Sequence, residues 1–181
     1  MNKNIALLAA VSAIVLAGNA NALEFRPYAG AQYNLTSVAS QSPDVDMHSY
    51  SVFAGTDYNR FFGTEIFYQN SNKWHKEVNG VKQKVDFDAY GLDAYGYLPL
   101  GCDRVFSLLG TAGIANYDFD TANDVDGKGS DNGLGYRLGV GAQYSFTSNV
   151  ALRGIVRYIW TDKLDGLDHF MEYSLGLRYT F

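Results

Sequence analysis

From Phe170 to Phe181 apolar and polar side chains alternate without a break. Met171, Tyr173, Leu175, Leu177, Tyr179 and Phe181 fall on one face, and Phe170, Glu172, Ser174, Gly176, Arg178 and Thr180 on the other. A period of two predicts a β-strand with one apolar face and one face of small or polar residues. The same alternation recurs upstream. Residues 24–35 set Ala29, Ala31, Tyr33 and Leu35 against Tyr28, Gly30, Gln32 and Asn34. Residues 49–58 group Tyr50, Val52, Ala54, Thr56 and Tyr58, and residues 62–69 place Glu65 opposite Ile66 and Tyr68.

A fourth strand runs through Tyr90, Leu92, Ala94, Gly96 and Leu98, with Asp93 on its other face. Its beginning, residues 85–88, is out of phase, which calls for a bulge or for a stretch outside the patterned zone. The fifth, at about 105–117, aligns Phe106, Leu108, Ala112 and Ile114. The sixth sets Tyr136, Leu138, Val140 and Tyr144 against Arg137, Gly139 and Gln143, and the seventh sets Leu152, Val156, Tyr158 and Trp160 against Arg153 and Arg157. Short turns at 59–61, 99–103 and 147–149 alternate with long polar connections at 36–48, 70–84, 118–133 and 161–168. Asn79-Gly80 near the tip of the second long connection suits a type I′ turn.

The chain opens with Lys3, an apolar run over residues 5–16 and the small-x-small triplet Ala20-Asn21-Ala22. That is the layout of a secretory leader, residues 1–22, with the mature domain expected over 23–181. The apolar run is shorter than the roughly 20 residues of a spanning helix. An exported chain with greasy outer faces and charged inner faces reads as an all-β, eight-stranded, antiparallel, up-and-down transmembrane β-barrel. Hydrocarbon cannot satisfy open strand edges, so the sheet must close. The 14 Tyr, 11 Phe and 19 Gly fit aromatic girdles and close internal packing. Nineteen Asp+Glu against 14 Lys+Arg argue against nucleic acid as a partner.

Eight strands enclose a space that side chains fill. The inward faces carry Arg26, Asp57, Glu65, Asp93, Arg137, Arg153, Arg157, Glu172 and Arg178, nearly balanced in sign, as enclosed charges require. Counted from the short turns, Glu65, Asp93, Gln143 and Arg153 fall at similar depth and predict one polar layer. Arg26, Asp57 and Arg178 predict a second layer below it.

The residues resemble a known family, the small outer-membrane barrels of the opacity-protein type, and more loosely the membrane domain of outer-membrane protein A. The resemblance rests on YNRFFGTEIFY at 58–68, GLDAYGYLPL at 91–100, GVGAQYSFTSNVALRGIVRY at 139–158 and the ending Ser174-x-Gly176-x-x-Tyr179-x-Phe181. It implies residence in the bacterial outer membrane and contact with its lipid and lipopolysaccharide. It also implies that Ser174, Gly176, Tyr179 and Phe181 form the signal read by the barrel-assembly machinery. In the protein A type the inner layer holds two acidic and two basic side chains. This chain departs at Asp93, where a basic residue is expected, and at Gln143, where an acidic one is.

No cofactor, metal or catalytic set is expected. Asp118, Asp120, Asn123, Asp124, Asp126 and Asp131 crowd one loop without the spacing of an EF-hand. His48, His75 and His169 lie at loops or strand ends, and Asp168, His169 and Ser174 are not placed as a triad. Cys102 has no partner in the chain and reads as a turn residue. The second long connection is basic and bears a tryptophan (Lys73, Trp74, His75, Lys76, Lys82, Lys84), which suits lipopolysaccharide phosphates or a host surface. The expected function is therefore structural or surface-interacting, adhesin- or opacity-like, with a small low-conductance porin as the alternative.

Overall fold

The computed structural model describes residues 24–38, 45–71, 74–78, 81–101, 105–123, 127–162 and 169–181. The leader, Cys102, the Asn79-Gly80 pair and residues 163–168 lie outside them. Every element described is a strand: β1 (Arg26–Val38), β2 (Val45–Asn59), β3 (Phe62–Ser71), β4 (Trp74–Val78), β5 (Val81–Leu100), β6 (Phe106–Asn123), β7 (Gly127–Ser145), β8 (Val150–Asp162) and β9 (His169–Thr180). All pairings are antiparallel and mostly between chain neighbours, β9 returns to β1, and β3 closes the sheet on β5. β3 and β4 pair successively with β5, at Asn70↔Asp88 and Trp74↔Val85, so together they form a single stave. The result is a closed barrel of eight staves.

Local chemistry explains the tight turns. Asn59 Oδ1 accepts from the Phe61 amide at 2.8 Å and tightens the β2–β3 turn. Thr147 Oγ1 accepts from the amides of Asn149 and Val150, and Asn149 Nδ2 donates to the Thr180 carbonyl. Gly101, after β5, adopts φ 79°, a left-handed conformation that a side chain would strain. These turns and both ends of the described chain gather at one mouth of the barrel.

At the other mouth the staves run further than the hydropathy pattern implies. β6 and β7 remain paired up to Asn123↔Gly127, so most of 118–133 is a ladder and only 124–126 lie outside the description. β4 and β5 likewise pair up to Val78↔Val81 within 70–84. Connections 36–48 and 161–168 shrink as well, with strands reaching Val38, Val45, Asp162 and His169. The physical reason is that alternation marks lipid contact, whereas backbone pairing continues above the lipid, where either face tolerates polar residues.

The pairing of β5 with β6 is continuous from Gln83 to Leu100, so no bulge resets its start. Phe87 keeps the inward parity of Asp93 and is buried. Its apolar character reflects an apolar interior near the hairpin mouth.

Outside, Val52, Ile66, Leu138, Val140, Leu175 and Leu177 form an exposed band. Tyr50, Tyr68, Tyr90, Tyr136 and Trp160 border it toward the hairpins, and Phe61, Tyr144, Phe146, Tyr179 and Phe181 border it toward the turns. From Tyr136 to Tyr144, at about 3.4 Å per residue and a tilt of about 40°, the band is roughly 20 Å tall. That approaches the height of an outer-membrane apolar belt. Val140, 68% exposed, sits midway along it. Val140→Arg is expected to cost about 2–4 kcal/mol in a lipid bilayer, measured by urea unfolding in vesicles. The substitution should be close to neutral if that face meets water.

Candidate functional site

Among the described residues, chemistry-bearing side chains converge in the lumen, and the wall residues that face it explain how. Glycines are interspersed among the long inward side chains and make room for them. A Cβ on Gly30 would lie 2.3 Å from the Phe53 ring, and one on Gly113 would lie 2.0 Å from Asp93 Oδ1. The arginines therefore lie across the lumen instead of standing up from its wall.

Arg153 on β8 reaches Glu65 on β3 with two parallel bonds, Nη1 to Oε2 at 2.6 Å and Nη2 to Oε1 at 2.7 Å. Gln32 Oε1 accepts from the same guanidinium at 3.2 Å, and Tyr95 donates to Glu65 at 3.2 Å. The guanidinium also lies 3.8 Å over the Phe53 ring, a cation–π contact. Both partners are about 1% exposed. A bidentate, charge-assisted pair of this kind is among the strongest polar contacts a dry interior offers.

Next to it lies a second cluster. Glu172 Oε1 accepts from Arg137 at 3.1 Å and Arg157 at 3.2 Å, while Oε2 accepts from Gln69 at 2.8 Å. Arg157 further donates to Ser174 at 2.7 Å and to the Tyr95 hydroxyl at 2.9 Å, which joins the two clusters. Asp93 stands 3.6 Å from Arg137 Nε and from Arg157 Nη2, balanced by charge but accepting no hydrogen bond among the described residues. Toward the turns, Arg178 pairs with Asp57, donates to Tyr97 at 2.9 Å and lies 3.6 Å over Tyr28. Arg137, Arg153, Arg157 and Arg178 thus face Glu65, Asp93, Glu172 and Asp57 in equal number.

Above these charges the lumen turns apolar. Met47, Phe87, Ala89, Ala115, Tyr117, Ile159 and Phe170 are buried toward the hairpin mouth, and the same cluster continues down through Phe53 and Phe67, over which Arg153 and Arg137 lie. Tyr117 meets Phe170 edge-on at 5.6 Å.

Of the expected upper layer, the structure brings Glu65 and Arg153 together and sets Asp93 directly opposite Glu65 in register. Gln143 departs from it. It pairs with Arg153 across β7–β8, but the arginine leans away and Gln143 lines a cavity at the turn mouth. Counting depth along strands neglects the reach of a long side chain. Arg26 departs from the lower layer. It has the right parity, yet it is exposed at the rim, leaving Asp57 to Arg178. Arg137, Arg157 and Glu172, inward by parity but assigned to neither layer, form the second cluster. Of the ending residues, Ser174 and Gly176 face inward, and Tyr179 and Phe181 face out. His169 stacks on Tyr158 on the outer side of the wall and Ser174 faces the lumen, so they do not meet.

A family model for the outer membrane protein beta-barrel domain matches residues 5–181. Comparison with curated proteins found no match. Among solved structures, Neisserial surface protein A superposes with a TM-score of 0.70 at 19% identity, covering 86% of this chain and 97% of its own. Ail, the attachment invasion locus protein of Yersinia pestis, solved with the heparin analogue sucrose octasulfate, gives 0.64 at 14% identity, covering 88% and 100%. The N-terminal barrel domain of Pseudomonas aeruginosa OprF gives 0.61 at 16% identity, covering 87% and 100%. At these identities the likeness is one of fold.

Proposed function

The chain belongs to the outer membrane protein beta-barrel domain family, and from that premise we propose that it is a closed, non-catalytic scaffold that presents its hairpins for contact outside the cell. It resides in the bacterial outer membrane. The observation that carries the proposal is the filled lumen. Paired arginines and carboxylates occupy its middle, and an apolar cluster covers them toward the hairpins. Moving an ion past both would mean breaking buried ion pairs and then crossing packed aromatic rings. Meanwhile the β6–β7 and β4–β5 ladders carry polar sequence beyond the aromatic border.

The partner chemistry proposed is anionic. The sequence over 70–84 carries Lys73, Lys76, Lys82 and Lys84, suited to lipopolysaccharide phosphates or host sulfated sugars. Ail, attachment protein by name, was solved with such a sugar analogue. Ser174, Gly176, Tyr179 and Phe181 are proposed to engage the barrel-assembly machinery.

Planar-bilayer recording tests the closed lumen. The purified barrel is expected to be silent at moderate voltage. Reproducible unitary steps, lost on heat denaturation, would favour a small porin instead. Retention on immobilised heparin or lipopolysaccharide, reduced by neutralising the four lysines, tests the surface role separately.

A further inference from the structure

We propose that the turn-side mouth of the lumen binds a small oxyanion, a phosphate or a carboxylate, between Arg26 and Arg60. A cavity of about 150 Å³ opens there, lined by three arginines, Arg26, Arg60 and Arg178, against one carboxylate, Asp57, with Gln143 and Ser107 among the neutral groups. A void of about that size admits a ligand of roughly half a dozen heavy atoms. It suits a phosphate or a carboxylate end, with any larger body left in solvent.

The charges around it do not cancel. Arg137, Arg153, Arg157 and Arg178 each meet a carboxylate. Arg26 and Arg60 line the cavity and make no ion pair among the described residues. Register sets Arg26 opposite Asp57, which also lines the cavity, but that carboxylate is engaged through Oδ2 by Arg178, two strands away on β9. Two exposed guanidinium groups therefore share one concave, polar site. Arg60 lies 4.5 Å over the Phe61 ring. Stacking through its face leaves the N–H edge free for the two-pronged contact that guanidinium makes with carboxylate or phosphate. Hydroxyl and amide groups of Ser107, Gln143 and Asn149 supply neutral donors around the same space.

The test is an NMR titration of the full barrel, labelled with ¹⁵N at arginine and glutamine side chains, in zwitterionic micelles at low ionic strength. Sodium phosphate and sodium acetate form separate arms, with sodium chloride at matched ionic strength as reference. Saturable shifts are expected at the Nε–Hε signals of Arg26 and Arg60, with Arg137, Arg153 and Arg157 unmoved. Saturation by phosphate alone or by acetate alone says which oxyanion the site prefers, and either sustains it. R26Q/R60Q, and R60Q as a milder variant, change only exposed residues. The double change should weaken apparent affinity, followed at the Gln143 amide, at least tenfold. Equal shifts with chloride, no saturation, or affinity untouched by R26Q/R60Q would overturn the proposal.

Discussion

Glu172→Ala is expected to destabilise the barrel by about 3–5 kcal/mol, the loss associated with removing one partner of a buried ion pair. Glu172 is the hub of the larger cluster, accepting from Arg137, Arg157 and Gln69 while wholly buried. Without it, two guanidinium groups in the dry lumen retain a single carboxylate, Asp93, at 3.6 Å. Glu172→Gln keeps an acceptor for one arginine but not the charge, and should fall between Ala and the parent. Urea titration of the folded protein in lipid vesicles, followed by tryptophan fluorescence and by heat-shifted gel mobility, gives the values. A change within about 0.5 kcal/mol for the alanine variant, the range of ordinary surface substitutions, would mean that the cluster is not dry.

Arg153→Ala and Glu65→Ala should each cost about 3–5 kcal/mol, for the same reason and with a sharper test. Each strands the other charge at a site about 1% exposed. Arg153 additionally loses its contact over Phe53 and its bond to Gln32. A double change to apolar residues of similar volume, Glu65→Leu with Arg153→Met, should recover most of the loss, because no uncompensated charge remains. The double-mutant cycle then yields a large coupling between positions far apart in sequence. Additive single losses would place the two side chains in separate, water-reached environments.

Much of this arrangement was legible in the alternation itself. Parity along β8 and β9 put Arg153, Arg157, Glu172 and Arg178 inside, and near balance of sign followed from the cost of enclosing charge. The partners were less legible. Depth counted along a strand puts Gln143 beside Arg153, and the ladder pairs them, but a guanidinium spans the lumen and finds Glu65. Arg26 has inward parity, yet the wall ends there and water supplies what a partner would. The apolar upper lumen was hidden for another reason. Phe87, Ile159 and Phe170 put greasy residues on the face that the pattern marks as polar. At residues 85–88 this mimics a slipped register. Strand length was hidden too, since the ladders of β6 and β7 continue through Asp- and Gly-rich sequence that hydropathy assigns to a loop.

The central claim is that one face of each strand meets acyl chains and the other meets only protein. Intermolecular NOEs test it on the unmodified barrel, with methyl-labelled Ile, Leu and Val in phospholipid nanodiscs. Leu138, Val140, Leu175 and Leu177 should show contacts to lipid acyl protons. Leu109, Ile155 and Ile159, each 4% exposed or less, should show contacts neither to lipid nor to water. Water contacts at Ile155 and Ile159, or acyl contacts missing from Val140 and Leu175, would contradict it.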